Sequence, residues 1–175
     1  RTEMYQEGFA TRITPAGAAE GLESDYRPHF FGGVATVCCK LFTQVAPDIA
    51  VFGEKDYQQL AVVRQMVRDL DLPLEIVGLP TVREADGLAM SSRNAYLSLE
   101  QRAIAPTIYA VITKVAEVTR QGGAIDKAVA EGRRTLEAAG FKVDYLEVRD
   151  ADTLKAAEPG ALRPLRALAA AWLGK

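Results

Sequence analysis

IAVFGEKDYQQLAVVRQMVRDLDLPLEIVGL (residues 49–79) is the stretch that decides the fold. It opens on a short, continuous apolar run, which is typical of a strand buried on both faces of a sheet. A second apolar run closes it, and between the two runs apolar residues recur at the spacing of a helix. The inner stripe of that helix is Leu60, Val63, Val67 and Leu70. Strand, helix and strand in this order predict a βαβ unit, which implies a parallel sheet with a right-handed crossover.

The residues before this unit predict one more strand and one more helix. Residues 9–13 alternate as a strand does, and residues 33–45 carry apolar side chains at helical spacing. A loop rich in glycine and charge, residues 17–28, is expected between them.

The second half of the chain predicts an α+β module that begins near Pro80. Ser98 with Gln101 forms a capping box, and the helix that follows should kink or split at Pro106. A helix from about residue 125 to residue 139 and two pairing strands, residues 142–150 and 165–173, complete the module.

Composition narrows the class of protein. Of 175 residues, 49% are hydrophobic and 25% charged, as in a folded globular protein. The net charge of -2 argues against nucleic-acid binding, which needs clustered lysine and arginine, but allows a small anionic ligand. No apolar run approaches the length of a membrane span, so no membrane association is expected. The adjacent Cys38 and Cys39 disfavour a disulfide and are expected to be small apolar residues on a buried helix, in a reducing cytoplasm.

VFGEKDYQQL (residues 51–60) is the first candidate site, because ligands of open α/β sheets bind at the carboxyl ends of the strands. Gly53 lets the backbone approach a ligand closely, and Lys55 offers a mobile positive charge. Asp56 and Gln59 lie on the first turn of the helix, whose N-terminus favours anions, and form an approximate capping box. The pattern favours a nucleotide or carboxylate; a plain strand–helix turn with an exposed Lys–Asp pair is the alternative.

DGLAMSSRNAYLS (residues 86–98) is the second candidate site. Two serines, Arg93 and Asn94 stand in a row, after an Asp-Gly turn and before a helix start, so their side chains are placed to hold an anion. This stretch follows the next strand of the same sheet and is expected to emerge on the same edge as Lys55. A capped polar turn is the alternative.

The remaining polar residues predict no further chemistry. His29 is the single histidine and is expected to be structural. Four carboxylates, Glu84, Asp86, Glu147 and Asp150, have no metal-loop spacing and are expected to lie on the surface or to cap turns, so no protein metal site is predicted.

The two candidate sites together resemble the pantothenate synthetase family, the ligases that join pantoate to β-alanine. The resemblance rests on FGEKDYQQL and VREADGLAMSSRNAYLS, with RPHFFGGVATVCCKLF and DYLEVRDADTL in the family's order. MSSR is similar to the KMSKS-type loop of the wider nucleotidyltransferase superfamily. The resemblance implies a partial Rossmann-like parallel sheet in residues 1–79, followed by residues 80–175 as the phosphate-gripping loop and a small α+β C-terminal domain.

Family chemistry implies two steps: pantoate and ATP give pantoyl-adenylate and pyrophosphate, and β-alanine then releases AMP and pantothenate. The implied ATP site consists of Gly53, Glu54, Lys55, Asp56, Val82, Met90, Ser91, Ser92 and Arg93. The implied catalytic residues are Lys55, Ser91, Ser92 and Arg93. Val82 would contact adenine through its backbone, and Gln59 would hydrogen-bond pantoate. Mg²⁺, held by phosphates and water, and a cytoplasmic homodimer are also implied.

The chain departs from the family in two places. The family's HIGH-type histidine motif is absent, and the chain opens without an initiator methionine, so family segments are expected before Arg1 and after Lys175. The chain alone is therefore expected to be inactive. RPHFF stands where the family has RPGHF, which moves His29 one position early. Two alternatives stay open: another nucleotidyltransferase-superfamily enzyme, and a folded fragment without catalysis.

Overall fold

The computed structural model describes residues 2–157 and 163–174. The chain divides into two compact units, Arg1–Pro80 and Thr81–Lys175. Each unit has an apolar core of its own.

The first unit is built on a two-stranded parallel sheet. Its elements are α1 (Glu23–Tyr26), α2 (Phe30–Val45), β1 (Ile49–Gly53), α3 (Tyr57–Asp69) and β2 (Glu75–Leu79), with 3₁₀ turns at Gly17–Ala19 and Glu54–Asp56. β1 pairs with β2 so that Val51 lies opposite Val77 and Gly53 opposite Leu79. The predicted βαβ unit with parallel strands is confirmed.

One face of this sheet carries the core of the first unit. Val63 and Met66 of α3 and Ala35 of α2 are buried there, with Phe52 and Ile76 of the strands packed against them. The half-buried Cys38 and Cys39 are free thiols on the same side, where burial and the neighbouring cysteine raise the pKa of Cys38.

The opposite face of the sheet is open in the first unit. Ile49 and Val51 are 55% and 57% exposed, and Leu79 is 51% exposed. The prediction that both faces of these strands are buried is wrong for this unit, because the core helices α2 and α3 both pack on the face that carries Phe52. Alternate residues of a strand point to opposite faces, so the other set stays uncovered.

The strand predicted at residues 9–13 does not form. Its ties to α2 include the Ile13 N–H, which donates to Thr36 Oγ at 3.0 Å, and Lys40 Nζ, which lies 4.8 Å from the centre of the Phe9 ring. An alternating sequence becomes a strand only where the edge of another strand pairs with it, and in the described part of this unit β1 and β2 pair only with each other.

The second unit is an α+β module, as predicted. Its elements are α4 (Leu99–Ile104), α5 (Thr107–Arg120), α6 (Ile125–Ala138), β3 (Lys142–Asp150) and β4 (Leu165–Trp172), with a 3₁₀ turn at Ser92–Tyr96. β3 and β4 are antiparallel. The capping box of Ser98 and Gln101 is formed, and Pro106 separates α4 from α5, so both predictions are confirmed.

Close packing of α6 fixes the core of the second unit. A Cβ atom on Gly132 would lie 2.8 Å from Leu146 Cδ2 and 2.8 Å from Val111 Cγ1, so only glycine lets α6 approach both α5 and β3 this closely. At the edge of the sheet Trp172 Nε1 donates to the buried Asp144 carboxylate at 2.9 Å, which satisfies both polar groups.

Ala46, at the end of α2, offers a test of the first unit's backbone. It is exposed, and its left-handed conformation (φ 48°, ψ 54°) is unfavourable for any residue with a Cβ. We expect Ala46→Gly to raise the free energy of unfolding by about 0.5–1 kcal/mol. Denaturant titration measures it, and Ala61→Gly, inside α3, is the control that should lower it by about 0.5–1 kcal/mol or more. A loss of stability in Ala46→Gly would contradict the left-handed cap.

Candidate functional site

The carboxyl end of the parallel sheet is an open edge. Gly53 ends β1 directly opposite Leu79, which ends β2. A Cβ atom on Gly53 would meet nothing within 4 Å, and its backbone (φ -76°, ψ 138°) is accessible to any residue. Glycine is therefore not required here by the fold of the first unit, and the space beside it is available to a ligand.

Lys55 and Asp56 form an exposed pair just beyond this edge. Lys55 Nζ lies 3.2 Å from Asp56 Oδ1, and the two side chains are 37% and 63% exposed. The predicted capping box of Asp56 and Gln59 is wrong, because the Asp56 side chain makes no capping hydrogen bond and instead accepts from Lys55. Exposed ion pairs contribute only about 0–1 kcal/mol, so the ammonium group is free to change partners when an anion binds.

Gln58, which sequence reasoning passed over in favour of Gln59, is the buried polar residue of this turn. Its Nε2 donates to the carbonyl groups of Ala18 and Gly21 at 3.1 and 3.2 Å, and its Oε1 accepts from the Glu23 N–H at 3.0 Å. Gln59 is half-buried. Gln58 lies outside the apolar stripe of Leu60, Val63, Val67 and Leu70, so helical periodicity carried no signal of its burial.

The segment that Gln58 holds contains a strained turn. Leu22 is 1% exposed and has φ 51° and ψ -117°, a conformation that residues with a Cβ rarely adopt. Gln58 bonds the residues on both sides of it, Gly21 and Glu23. Strain of this kind persists only where surrounding contacts enforce it, and it is concentrated at functional sites.

The second candidate stretch begins as a tight hairpin between Val82 and Met90. The Met90 N–H donates to the Val82 carbonyl at 3.0 Å, and the Glu84 N–H donates to the Leu88 carbonyl at 2.8 Å. At the tip, the Gly87 N–H donates to the Glu84 carbonyl at 2.9 Å. Gly87 has φ +90°, so the Asp-Gly pair forms the glycine-dependent turn that the sequence indicated.

The serine–arginine residues follow the hairpin directly. Ser91 Oγ caps the next 3₁₀ turn by accepting from the Arg93 N–H at 3.2 Å, and its hydroxyl hydrogen remains available to donate. Ser92 and Arg93 are exposed. Asn94 differs from the expectation, because its Nδ2 donates to Glu84 Oε1 and to the Ala89 carbonyl, each at 3.0 Å. It braces the loop and is not presented to a ligand.

Glu84 and Asp86 are clamped by Arg102 and are not isolated surface carboxylates. Arg102 Nη2 lies 2.7 Å from Glu84 Oε2, and Arg102 Nη1 lies 2.6 Å from Asp86 Oδ2. Hydrogen bonds from Arg102 hold the pKa of both carboxyl groups below their ordinary values. No local pattern in the sequence connects these residues, so sequence reasoning missed the clamp.

The predicted site residues therefore fall into two groups, one in each unit. The first unit holds Gly53, Glu54, Lys55, Asp56 and Gln59. The second holds Val82, Met90, Ser91, Ser92 and Arg93.

His29 is exposed at the start of α2. Across residues 2–157 and 163–174 there is no cluster of three His, Cys, Asp or Glu side chains placed to hold a metal ion. No helix in the same ranges is long and apolar enough to cross a membrane.

Sequence comparison gives relatives along the whole chain. Pantothenate synthetase of Bradyrhizobium sp. (strain BTAi1) is 56% identical over 172 residues, and pantothenate synthetase 2 of Bradyrhizobium diazoefficiens is 58% identical over 172 residues. Each alignment covers 98% of this chain and 61% of the relative. The chain thus spans about three-fifths of the length of these curated relatives.

Solved structures agree with the sequence comparison. Pantothenate synthetase from Thermus thermophilus superposes with a TM-score of 0.90 at 48% identity, over 98% of this chain and 63% of that one. A pantoate–β-alanine ligase from Francisella tularensis, solved as a complex with β-γ ATP and β-alanine, gives a TM-score of 0.68 at 29% identity, over 96% of this chain and 61% of that one.

The sequence model of one family, described as pantoate–β-alanine ligase, matches residues 1–175. The same residues carry the GEKD turn at the open sheet edge and the braced hairpin before the serines and Arg93. On the match, the identities and the superposition, the chain belongs to the pantoate–β-alanine ligase family.

Proposed function

We propose that this protein uses ATP to condense pantoate with β-alanine, giving pantothenate, AMP and pyrophosphate. The observation that carries the proposal is the placement of GEKD at the open carboxyl end of a parallel sheet, in a chain that matches the ligase family along its whole length. The Francisella tularensis relative, solved with β-γ ATP and β-alanine, supports both ligand classes.

In the first proposed step a carboxylate oxygen of pantoate attacks the α-phosphorus of ATP. The bond from that phosphorus to the bridging oxygen breaks, and pyrophosphate leaves with the bonding electrons. Negative charge grows on the leaving group, and Lys55, whose exposed pair with Asp56 is weak, moves to offset it. Gln59 donates a hydrogen bond to pantoate.

The residues after β2 hold the nucleotide in this proposal. The Val82 backbone contacts adenine, Met90 covers the nucleotide, and Ser91, Ser92 and Arg93 donate hydrogen bonds to the phosphates. In the second step the amine of β-alanine attacks the acyl carbon of pantoyl-adenylate, loses a proton, and displaces AMP. Gly53 leaves room for the nucleotide, and Glu54 lines the same edge.

The remaining features of the proposal concern ions and assembly. Mg²⁺ would be held by ATP phosphates and water. We assign nucleotide binding to residues 1–79 and the phosphate-gripping loop with the C-terminal domain to residues 80–175. Free thiols at Cys38 and Cys39 support a reducing cytoplasm, and the family resemblance supports a homodimer.

Release of AMP from ATP, pantoate and β-alanine tests the proposal. It is measured on this chain and on an extended chain, in which the part of the Bradyrhizobium sp. relative that this chain does not match is added. We expect AMP only from the extended chain and only with both acid and amine. AMP without β-alanine dependence would favour another nucleotidyltransferase, and no AMP from either form would favour a fragment without catalysis.

Lys55 gives a direct test of the charge argument. We expect Lys55→Ala in the extended chain to lower kcat by about 10²–10³, because one electrostatic contact to the developing charge is lost. The control is Lys114→Ala, an exposed lysine on α5, which should leave kcat unchanged. A near-normal kcat for Lys55→Ala would contradict its role.

A substitution at Gly53 tests whether glycine is needed there for ligand binding or for the fold. Gly53→Ala should leave the free energy of unfolding unchanged or up to about 1 kcal/mol higher, since the methyl group meets no atom of the first unit. The same methyl group should raise the KM for ATP. In the control Gly78→Ala, a Cβ atom would lie 2.9 Å from Leu60 Cδ2, so stability should fall by about 1–3 kcal/mol. An unchanged KM for ATP in Gly53→Ala would refute close approach at this glycine.

A further inference from the structure

The three residues expected to hold phosphate, 91–93, are a short span fixed at both ends. Before the span, the Met90 N–H is bonded to the Val82 carbonyl across the neck of the hairpin. After it, Asn94 Nδ2 bonds back to the Ala89 carbonyl and to Glu84 Oε1, each at 3.0 Å. Both ends of residues 91–93 are therefore tied to the hairpin, so a shift of the hairpin shifts this span with it.

Glu84 connects the residues after the hairpin to helix α4. One of its carboxylate oxygens accepts from Asn94, and the other lies 2.7 Å from Arg102 Nη2. The second guanidinium branch of Arg102 reaches Asp86 Oδ2 at 2.6 Å. Arg102 stands in the last turn of the six-residue α4, whose start is fixed by the capping box of Ser98. The clamp thus connects the turn of the hairpin to a helix with a defined end.

A second contact holds the hairpin against α5. The Arg83 guanidinium carbon lies 3.8 Å from the centre of the Tyr109 ring, and Arg83 Nη1 donates to the Gly87 carbonyl at 3.1 Å. A Cβ atom on Gly87 would overlap the same ring, so the tip of the hairpin lies directly on it. The hairpin is therefore held from two helices, by Arg102 and by Tyr109.

The Arg102 clamp also neutralises the negative charge of Glu84 and Asp86. Glu84 and Asp86 are two carboxylates within the same short hairpin, which leads directly into the phosphate-holding residues. Without a cation between them, they would repel each other and any phosphate held by Arg93. Arg102 satisfies both carboxylates with one planar group, which lysine cannot reproduce with the same geometry.

We propose that Arg102 is a positioning residue for nucleotide binding, which acts through Glu84 and Asn94 to hold residues 91–93 in place for the ATP phosphates. This inference rests on the proposed function for the identity of the ligand. It assigns a role at the site to a residue that lies outside both sequence motifs of the nucleotide site.

The test compares Arg102→Met and Arg102→Lys with Arg120→Met, an exposed arginine at the end of α5, in the extended chain. We expect Arg102→Met to lower kcat/KM for ATP by about tenfold to a hundredfold, with the KM for pantoate nearly unchanged. Arg102→Lys should lie between Arg102→Met and the unsubstituted protein, and Arg120→Met should match the unsubstituted protein.

Amide hydrogen exchange provides the readout that does not depend on turnover. In Arg102→Met, the N–H groups of Glu84, Gly87 and Met90 should exchange faster, while those of β3 keep their protection. Faster exchange with unchanged kcat/KM for ATP would overturn the proposal, because the clamp would then serve only the fold. Unchanged exchange together with unchanged kinetics would overturn it as well.

Failure of the proposed function gives a different result from failure of this inference. If the unsubstituted extended chain releases no AMP, the ligase proposal falls, and calorimetric binding of ATP to the same proteins then decides the role of Arg102. Weaker ATP binding in Arg102→Met than in Arg120→Met supports positioning of a nucleotide site. Equal binding in the two variants, or no ATP binding by the unsubstituted protein, overturns it.

Discussion

Parallel hydrogen bonding between β1 and β2 is the constraint on which the first unit depends. Two parallel strands must be joined by a crossover, and α3 is that crossover, held on one face of the sheet by Val63 and Met66. The pairing brings Gly53 and Leu79 to the same edge, and the GEKD turn must leave the sheet there. Lys55 therefore owes its position to strand pairing, because its own pair with Asp56 is too exposed to fix it.

In each unit, a polar side chain on a helix braces a loop that lies outside the helices and strands. In the first unit the buried amide of Gln58 bonds both sides of Leu22, whose backbone conformation costs on the order of 1–3 kcal/mol and needs such enforcement. In the second unit Arg102 binds Glu84 and Asp86, and so braces the hairpin before the serines. In both cases a helix supplies a multiply bonded polar group to a loop, and the loop gains one defined conformation.

The candidate site could be predicted only as far as its signals are local. The Asp-Gly turn at Gly87 was recognisable because a positive φ favours glycine, whatever surrounds it. The function of Asn94 was not, because the same amide that can hold an anion here bonds to Glu84 and Ala89, and only the folded hairpin brings those acceptors within reach. The Arg102 clamp could not be predicted either, because its partners Asp86 and Glu84 lie 16 and 18 residues away along the chain.

By itself the sequence determined the order and type of most elements: the parallel βαβ unit, the capping box at Ser98, the break at Pro106 and the pairing of β3 with β4. These follow from hydrophobic periodicity and from backbone preferences of single residues, which act over a few positions. Tertiary structure alone decided that residues 9–13 form no strand, that Ile49 and Val51 face outward, and that Asn94 bonds to Glu84. Each of these outcomes depends on which group lies opposite in space, and a neighbour in space need not be a neighbour in sequence.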